Sequence, residues 1–259
     1  GVASRAERSM SFGAIAEDYD RLRPGPPEAA VDWLVPAGCQ VAVDLGAGTG
    51  LLTRALARKV PQVVAVEPDP RMAGVLQARS SQAQFDGIRV AQSRGEQIPL
   101  PDASADGVFA SSAWHWLDPE RAPREIARVL RDGGRLGVIW TTRDRSADWV
   151  REVEAVRDNA AGPTDDREDR WARHRREVAL PGQLFGNVQT ASFASTRQMT
   201  TGDFVDMLAT YSGAITASRQ EREVALDRAR AVLERRFPGA AEIDVPMRSW
   251  CYRAERLPR

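Results

Sequence analysis

The chain has 259 residues, 42% of them hydrophobic, and its 36 basic and 36 acidic residues give a formal net charge of zero. That length can bury a substantial core, and the balanced charge offers no electrostatic reason to expect nucleic acid or an anionic membrane as a partner. Cys39, Cys251, His115 and His174 are its only cysteines and histidines; no zinc-ligand spacing or disulfide framework exists among them, so no metal is expected.

The start of the chain lacks a signal-peptide core and no apolar run reaches spanning length, so a cytoplasmic protein is expected. Residues 9–20 read as a short amphipathic helix, broken by Pro24, Pro26 and Pro27 before a second helix over Glu28–Leu34. Val41-Ala42-Val43-Asp44-Leu45 is a short buried strand, followed by glycines at 46, 48 and 50 and a helix to Lys59. Val63–Val66 is a second strand, ending at Glu67-Pro68, and Asp69-Pro70 opens a helix over Arg71–Arg79. Strands follow at Ile88–Ala91, Asp106–Ser111 and Arg135–Trp140, with a helix at Asp118–Leu130 closed by Asp132-Gly133-Gly134. Strands and helices alternating at this rhythm predict an α/β fold with a doubly wound parallel sheet.

Beyond Thr142 charge becomes dense and aliphatics few, which predicts surface helices over the sheet edge. Val188–Met199 reads as a strand, Asp203–Tyr211 and Glu221–Phe237 as helices, and Ala241–Arg253 as a last strand. In the second of these helices Ala225, Ala229, Val232, Leu233 and Phe237 share one face. One domain over 1–259 is the economical reading, with N-terminal cap helices over about 1–35 and a helical cap insertion at 143–182.

The stretch Asp44–Gly50 carries the chemistry. A glycine turn between strand and helix lets a ligand approach the backbone, because no Cβ stands in the way. The dinucleotide fingerprint would need a third glycine at Leu51, and Asp44 would repel a pyrophosphate. An acidic residue beside open backbone suits S-adenosylmethionine, which carries a sulfonium and an ammonium group instead. Glu67, 17 residues after Gly50, stands where an acidic side chain accepts hydrogen bonds from ribose hydroxyls; Met72 is placed to cover adenine. The bland alternative for Glu67 is a cap on the helix that begins at Pro70.

Asp44–Gly50, Glu67, Arg94-Gly95-Glu96-Gln97-Ile98-Pro99-Leu100 and Ala113-Trp114-His115-Trp116 resemble the class I S-adenosylmethionine-dependent methyltransferases. The nearest likeness is to the small-molecule branch that includes trans-aconitate methyltransferase-like proteins. The resemblance implies a Rossmann-like, mostly parallel seven-stranded sheet whose last strand runs antiparallel, with Ala241–Arg253 as its candidate. Carried over by position, it implies that Asp44, Gly46, Ala47 and Gly48 hold the aminoacid end of the cofactor and Glu67 the ribose. Pro68 and Met72 would line the adenine pocket. Arg94, Gly95 and Glu96 fall where relatives show Gly-Asp-Ala-Glu, whose Asp meets the adenine amine; an arginine there can only donate, leaving the backbone of Gly95 for the ring. Ser111 would face the methionyl group. Tyr19 and Arg23 match a Tyr-Asp-x-x-Arg-Pro segment that closes over the cofactor in relatives, with Arg23 able to pair with the methionyl carboxylate.

Trp114, His115 and Trp116 follow the fourth strand, next to the expected position of the transferable methyl. His115 reads either as a general base or as a structural histidine, and the two tryptophans either as pocket wall or as core. With Tyr211 they are the candidate lining of an acceptor pocket. The expected activity is transfer of a methyl group from S-adenosylmethionine to oxygen, nitrogen or carbon of a small molecule, releasing S-adenosylhomocysteine. The alternative is a protein of the same fold that binds the cofactor without transferring its methyl, as a binding module or a cyclase-like catalyst.

Overall fold

The computed structural model describes residues 16–157, 178–209 and 218–259, without the side chains of residues 17–19. Seven strands form one sheet: β1 (Val41–Leu45), β2 (Gln62–Val66), β3 (Ile88–Ala91), β4 (Ala105–Ser111), β5 (Leu130–Arg143), β6 (Phe185–Thr200) and β7 (Glu242–Arg256). Their spatial order is β3-β2-β1-β4-β5-β7-β6. Strands β1 to β5 pair in parallel, and β7 runs antiparallel to both β5 and β6. The chain starts in the middle, builds outward through β2 and β3, then returns to lay β4 on the other side of β1. That reversal opens a crevice at the carboxyl ends of β1 and β4, where ligands bind in open α/β sheets.

Eight helices surround the sheet: α1 (Ala16–Leu22), α2 (Glu28–Leu34), α3 (Leu51–Ala57), α4 (Pro70–Ser80), α5 (Arg121–Val129), α6 (Asp148–Arg157), α7 (Thr201–Ala209) and α8 (Arg219–Arg236) are those among the described residues. Alternate residues of one strand serve opposite faces. Val43, Leu45, Val64, Val66, Val108 and Ala110 pack with Ile126, Leu136 and Trp140 on one side. Ala42, Val63, Phe109, Ile139 and Cys251 pack with Leu34, Leu52 and Leu56 on the other. Both faces are covered, so the inner strands read as continuous apolar runs rather than alternating ones. A further cluster joins Leu22, Val153, Phe204, Leu208, Val232 and Leu233 to Ile243, Val245 and Met247 of β7. It sets α1, α6, α7 and α8 against the end of the sheet where β5 finishes, since Arg143 pairs with Met247.

The last strand is antiparallel, as the resemblance implied, and occupies Glu242–Arg256 rather than Ala241–Arg253. The predicted helix Asp118–Leu130 is shorter. Asp118 Oδ1 accepts from the amides of Glu120 and Arg121, both at 2.9 Å, so the helix begins only at Arg121. At its other end Leu130 is extended and already pairs with Ala105. The chain then loops out and rejoins β4 at Arg135, with Gly133 at φ +77°. Those glycines therefore shape a bulge inside β5 instead of closing a helix. Of the predicted insertion at 143–182, Arg143 belongs to β5, 144–147 form a turn, α6 is helical and 178–182 is not; 158–177, with His174, lies outside the described residues, as do residues 9–15 of the predicted first helix.

Candidate functional site

The turn after β1 separates its three glycines by role. All have positive φ: +62° at Gly46, +59° at Gly48 and +94° at Gly50. A Cβ on Gly46 would stand 2.7 Å from Cβ of Ala113, and one on Gly50 3.0 Å from Cγ of Leu76, so packing itself demands those glycines. At Gly48 the nearest atom would be Met72 Cε at 4.0 Å. Gly48 thus presents bare backbone with space beside it. The Ala47 amide donates to Val66 O at 3.0 Å, which ties the turn to the end of β2.

Two buried carboxylates flank this turn. Asp44 is 1% exposed; Oδ2 accepts from Thr53 Oγ1 at 2.7 Å, while Oδ1 is buried with no hydrogen-bond partner. Burial pushes its pKa up to about 7, against the Thr53 hydrogen bond and with the help of the Glu67 charge. Glu67 Oε1 accepts from the Gly48 amide at 2.8 Å and Oε2 from the Asp69 amide at 2.7 Å. Burial pushes Glu67 up to about 7 as well, although both amides favour its charged form. Each oxygen of Glu67 keeps a further lone pair for an outside donor. Glu67 does not cap α4; Asp69 does, accepting from the Arg71 amide at 2.9 Å. Thr49 Oγ1, next to Gly48, is also buried without a hydrogen-bond partner. A ligand bearing positive charge and vicinal hydroxyls would satisfy these groups, and S-adenosylmethionine is such a ligand.

Around that centre, Met72 is 5% exposed and packs with Ala16 and Val75, and Pro68 is half-buried. Arg94 is exposed. Gly95 lies under Leu117, whose Cδ2 would be 2.5 Å from an added Cβ. Glu96 Oε1 accepts from the Asp118 amide at 2.7 Å, so its carboxylate braces this loop against the one after β4.

Ser111 ends β4 opposite Ile139. Ser112 then takes φ +50°, a left-handed conformation that costs a non-glycine residue roughly 1–2 kcal/mol, and its amide donates to Ile139 O at 2.9 Å. The bend carries Ala113 onto Gly46 and opens a single 3-10 turn over Trp114–Trp116. Trp114 is 4% exposed and belongs to the core. His115 and Trp116 stay half-exposed, their ring centroids 4.4 Å apart. The structure thus divides the aromatic trio into one core ring and two accessible ones. Arg23 is half-buried just beyond α1; the Tyr19 side chain and Tyr211 lie outside the described residues.

Sequence reasoning passed over Thr53 and the pair Asp20–Arg54; Asp69, read as opening the helix, does cap it. Arg54 Nη2 donates to Asp20 Oδ1 at 2.7 Å and Nη1 to Thr49 O at 2.8 Å. Asp20 lies inside the very segment that suggested Tyr19 and Arg23, and Thr53 sits in the first turn of the helix after the glycines. Among the described residues no group of His, Cys, Asp or Glu could hold a metal ion, and no helix is long and apolar enough to cross a membrane.

Comparison with known proteins agrees with this geometry. The methyltransferase domain family matches residues 43–138. An uncharacterized methyltransferase of Mycobacterium tuberculosis is 41% identical over 232 residues, which cover 90% of this chain and 89% of that one. Malonyl-[acyl-carrier protein] O-methyltransferase of Methylococcus capsulatus is 34% identical over 134 residues, 49% of this chain and 48% of that one. A solved structure assigned as a type II methyltransferase of Anaeromyxobacter dehalogenans superposes with a TM-score of 0.67 at 26% identity, covering 92% of this chain and 99% of that one.

Proposed function

Because the chain belongs to the class I S-adenosylmethionine-dependent methyltransferases, we propose that it methylates an oxygen of a small-molecule acceptor held between the loop after β4 and the helices α1, α6 and α7. The observation that carries the cofactor's position is the partnerless buried oxygen of Asp44 beside the open backbone of Gly48. In this reading the whole chain is one domain. Its cap is α1, the 143–182 segment around α6, and the helices α7 and α8.

When bound, the cofactor supplies an electrophilic methyl on a positively charged sulfur. The chain's own groups do the rest. Asp44, Gly46, Ala47 and Gly48 hold the aminoacid end, with Ser111 and Arg23 on the methionyl side. Glu67 takes the ribose hydroxyls on its remaining lone pairs. Pro68 and Met72 flank the adenine, and the backbone of Gly95 bonds its edge, with Arg94 and Glu96 framing that loop. Trp116 lines the acceptor side. His115 takes the acceptor's proton on its imidazole when the acceptor is an alcohol or phenol; a carboxylate acceptor needs no base. Alignment of nucleophile, methyl and sulfur under a closed cap, with water excluded, supplies most of the acceleration. The balanced charge of the chain supports a small acceptor over nucleic acid. The Methylococcus relative, an O-methyltransferase by name, supports oxygen as the nucleophile.

The test is incubation with methyl-labelled S-adenosylmethionine and a panel of carboxylic acids and phenols, read by mass spectrometry. Label should move onto an acceptor oxygen. Label retained in the cofactor with every acceptor, or moved only to a macromolecule, would overturn the reading. With a phenol acceptor, H115A should lose turnover while binding the cofactor normally; full activity across pH would leave His115 a structural residue.

A further inference from the structure

We propose that Asp20 is a positioning residue for cofactor exchange: its carboxylate clamps α1 across the glycine turn, and the cofactor leaves only when that clamp opens. The proposal rests on the cofactor site described above. Asp20 is 7% exposed in its side chain and takes two guanidinium groups, Arg54 of α3 at 2.7 Å and Arg79 of α4 at 3.2 Å. Arg54 also donates to the carbonyl of Thr49, so a continuous path of hydrogen bonds runs from α1 to the residue beside Gly48. One helical turn before Asp20, Ala16 is buried against Met72 and Val75, and Met72 Cε is the atom nearest the open side of Gly48. Residues four apart share a helix face. One face of α1 therefore spans the turn, with a methyl contact at one end and a carboxylate at the other.

The other end of α1 is anchored elsewhere. Leu22 is 2% exposed in the cluster formed with α6, α7, α8 and β7. Arg197 of β6 donates to the carbonyls of Leu22 at 2.7 Å and Arg21 at 3.2 Å, and Arg21 pairs with Asp203 of α7 at 2.9 Å. The position of α1 is set by such contacts. Leu22 and Arg21 fix the carboxyl end by carbonyl bonds and burial, and Asp20 beside them ties the turn-facing side of α1 to α3 and α4. Without that carboxylate, α1 loses its tie to the guanidinium groups of α3 and α4, which favours opening.

The experiment measures dissociation of S-adenosylmethionine and S-adenosylhomocysteine by stopped flow from wild type, D20N, R54Q, the D20N/R54Q double variant and D20E. We expect D20N to release both compounds at least about tenfold faster. The double variant should be no faster than the more severe single variant, because the two residues act as one unit. D20E, which keeps the charge, should recover most of the slow release. Unchanged release from folded D20N, or strictly additive effects, would overturn the clamp. A wild type that binds neither compound would overturn the cofactor site instead. If D20N does not fold, R79Q decides: its guanidinium is half exposed, and release roughly threefold faster supports the clamp, whereas unchanged release sinks it.

Discussion

Two regions of the one sheet, an inner one of β1 to β4 and an outer one of β5 to β7 with its helices, hold their buried polar side chains in different ways. Around the glycine turn they are short of partners: Asp44 Oδ1, Thr49 Oγ1 and Asp69 Oδ2 are buried with no hydrogen bond. In the outer region Glu154 has both oxygens bonded by arginines. Its Oε1 accepts from Arg143 Nε at 3.0 Å and Nη2 at 2.8 Å, its Oε2 is bonded by Arg145, and Thr141 and Ser249 bond each other at 2.9 Å. Burial works to raise Glu154 too, yet Arg143 and Arg145 hold it below the usual carboxylate range, whereas Asp44 and Glu67 are pushed up to about 7. The carboxylates at the glycine turn are held by amides and a hydroxyl, whereas Glu154 is held by cations of the chain itself.

That contrast breaks if a change in one region is felt as strongly in the other. The largest effect belongs to the outer region. E154A removes the buried carboxylate shared by Arg143 and Arg145, and breaking a buried pair costs about 3–5 kcal/mol. Denaturant midpoints should fall accordingly, while the cofactor affinity of the remaining folded protein stays within about twofold. A cofactor affinity lost in proportion to stability would mean that the regions are not separable. In the inner region, G48V places a β-branched side chain at φ +59° and fills the open space beside the turn. We expect binding weakened at least about a hundredfold, with stability down by roughly 1–2 kcal/mol for the left-handed backbone. Calorimetry on the folded variant checks this, and wild-type affinity would return Gly48 to a purely structural role.

E67A is milder. It removes a ribose acceptor and frees the amides of Gly48 and Asp69, so cofactor binding should weaken by about 1–3 kcal/mol. The comparison sharpens if E67Q recovers only part of that loss, since an amide cannot accept at both ends. Equal affinities for wild type and E67A would leave Glu67 as a brace for the turn alone.

The same contrast explains what could be read from residues alone. The inner region was legible because its geometry is local. A strand ending at Asp44, glycines at every second position and an acid at the end of the next strand fix a turn within a few dozen residues. The division of labour among the glycines was not legible, since it depends on Ala113 and Leu76, which approach from distant segments. Trp114 and Trp116 look alike in sequence; only the bend at Ser112 sends one to the core and leaves the other accessible. The cap is long-range throughout. Asp20 meets Arg54 and Arg79, and Arg197 meets Leu22, across turns that carry no motif. Even β5 misled for this reason: Leu130 ends a helix by local pattern, yet Ala105 recruits it into the sheet.

The smallest effect, and the one that tests the carboxylates directly, is the pH dependence of binding. Asp44 and Glu67 are both raised in the folded chain to about 7, from ordinary values of 3.8 and 4.5. A raised carboxylate stabilises the fold fully below its unfolded pKa, and that contribution is lost as pH climbs through the folded value. Measured against D44N, the cofactor-free wild type should therefore be relatively most stable near pH 4 and lose that advantage by pH 7. A ligand carrying positive charge binds the ionised form and must displace the proton below pH 7. Affinity for S-adenosylmethionine should rise about tenfold from pH 6 to pH 8, with proton release on binding at pH 6. S-adenosylhomocysteine, which lacks the sulfonium charge, should gain less, and D44N should flatten the profile. An affinity constant across that range, equal for both compounds, would mean that the buried carboxylates answer to the turn's own amides and not to the ligand's charge.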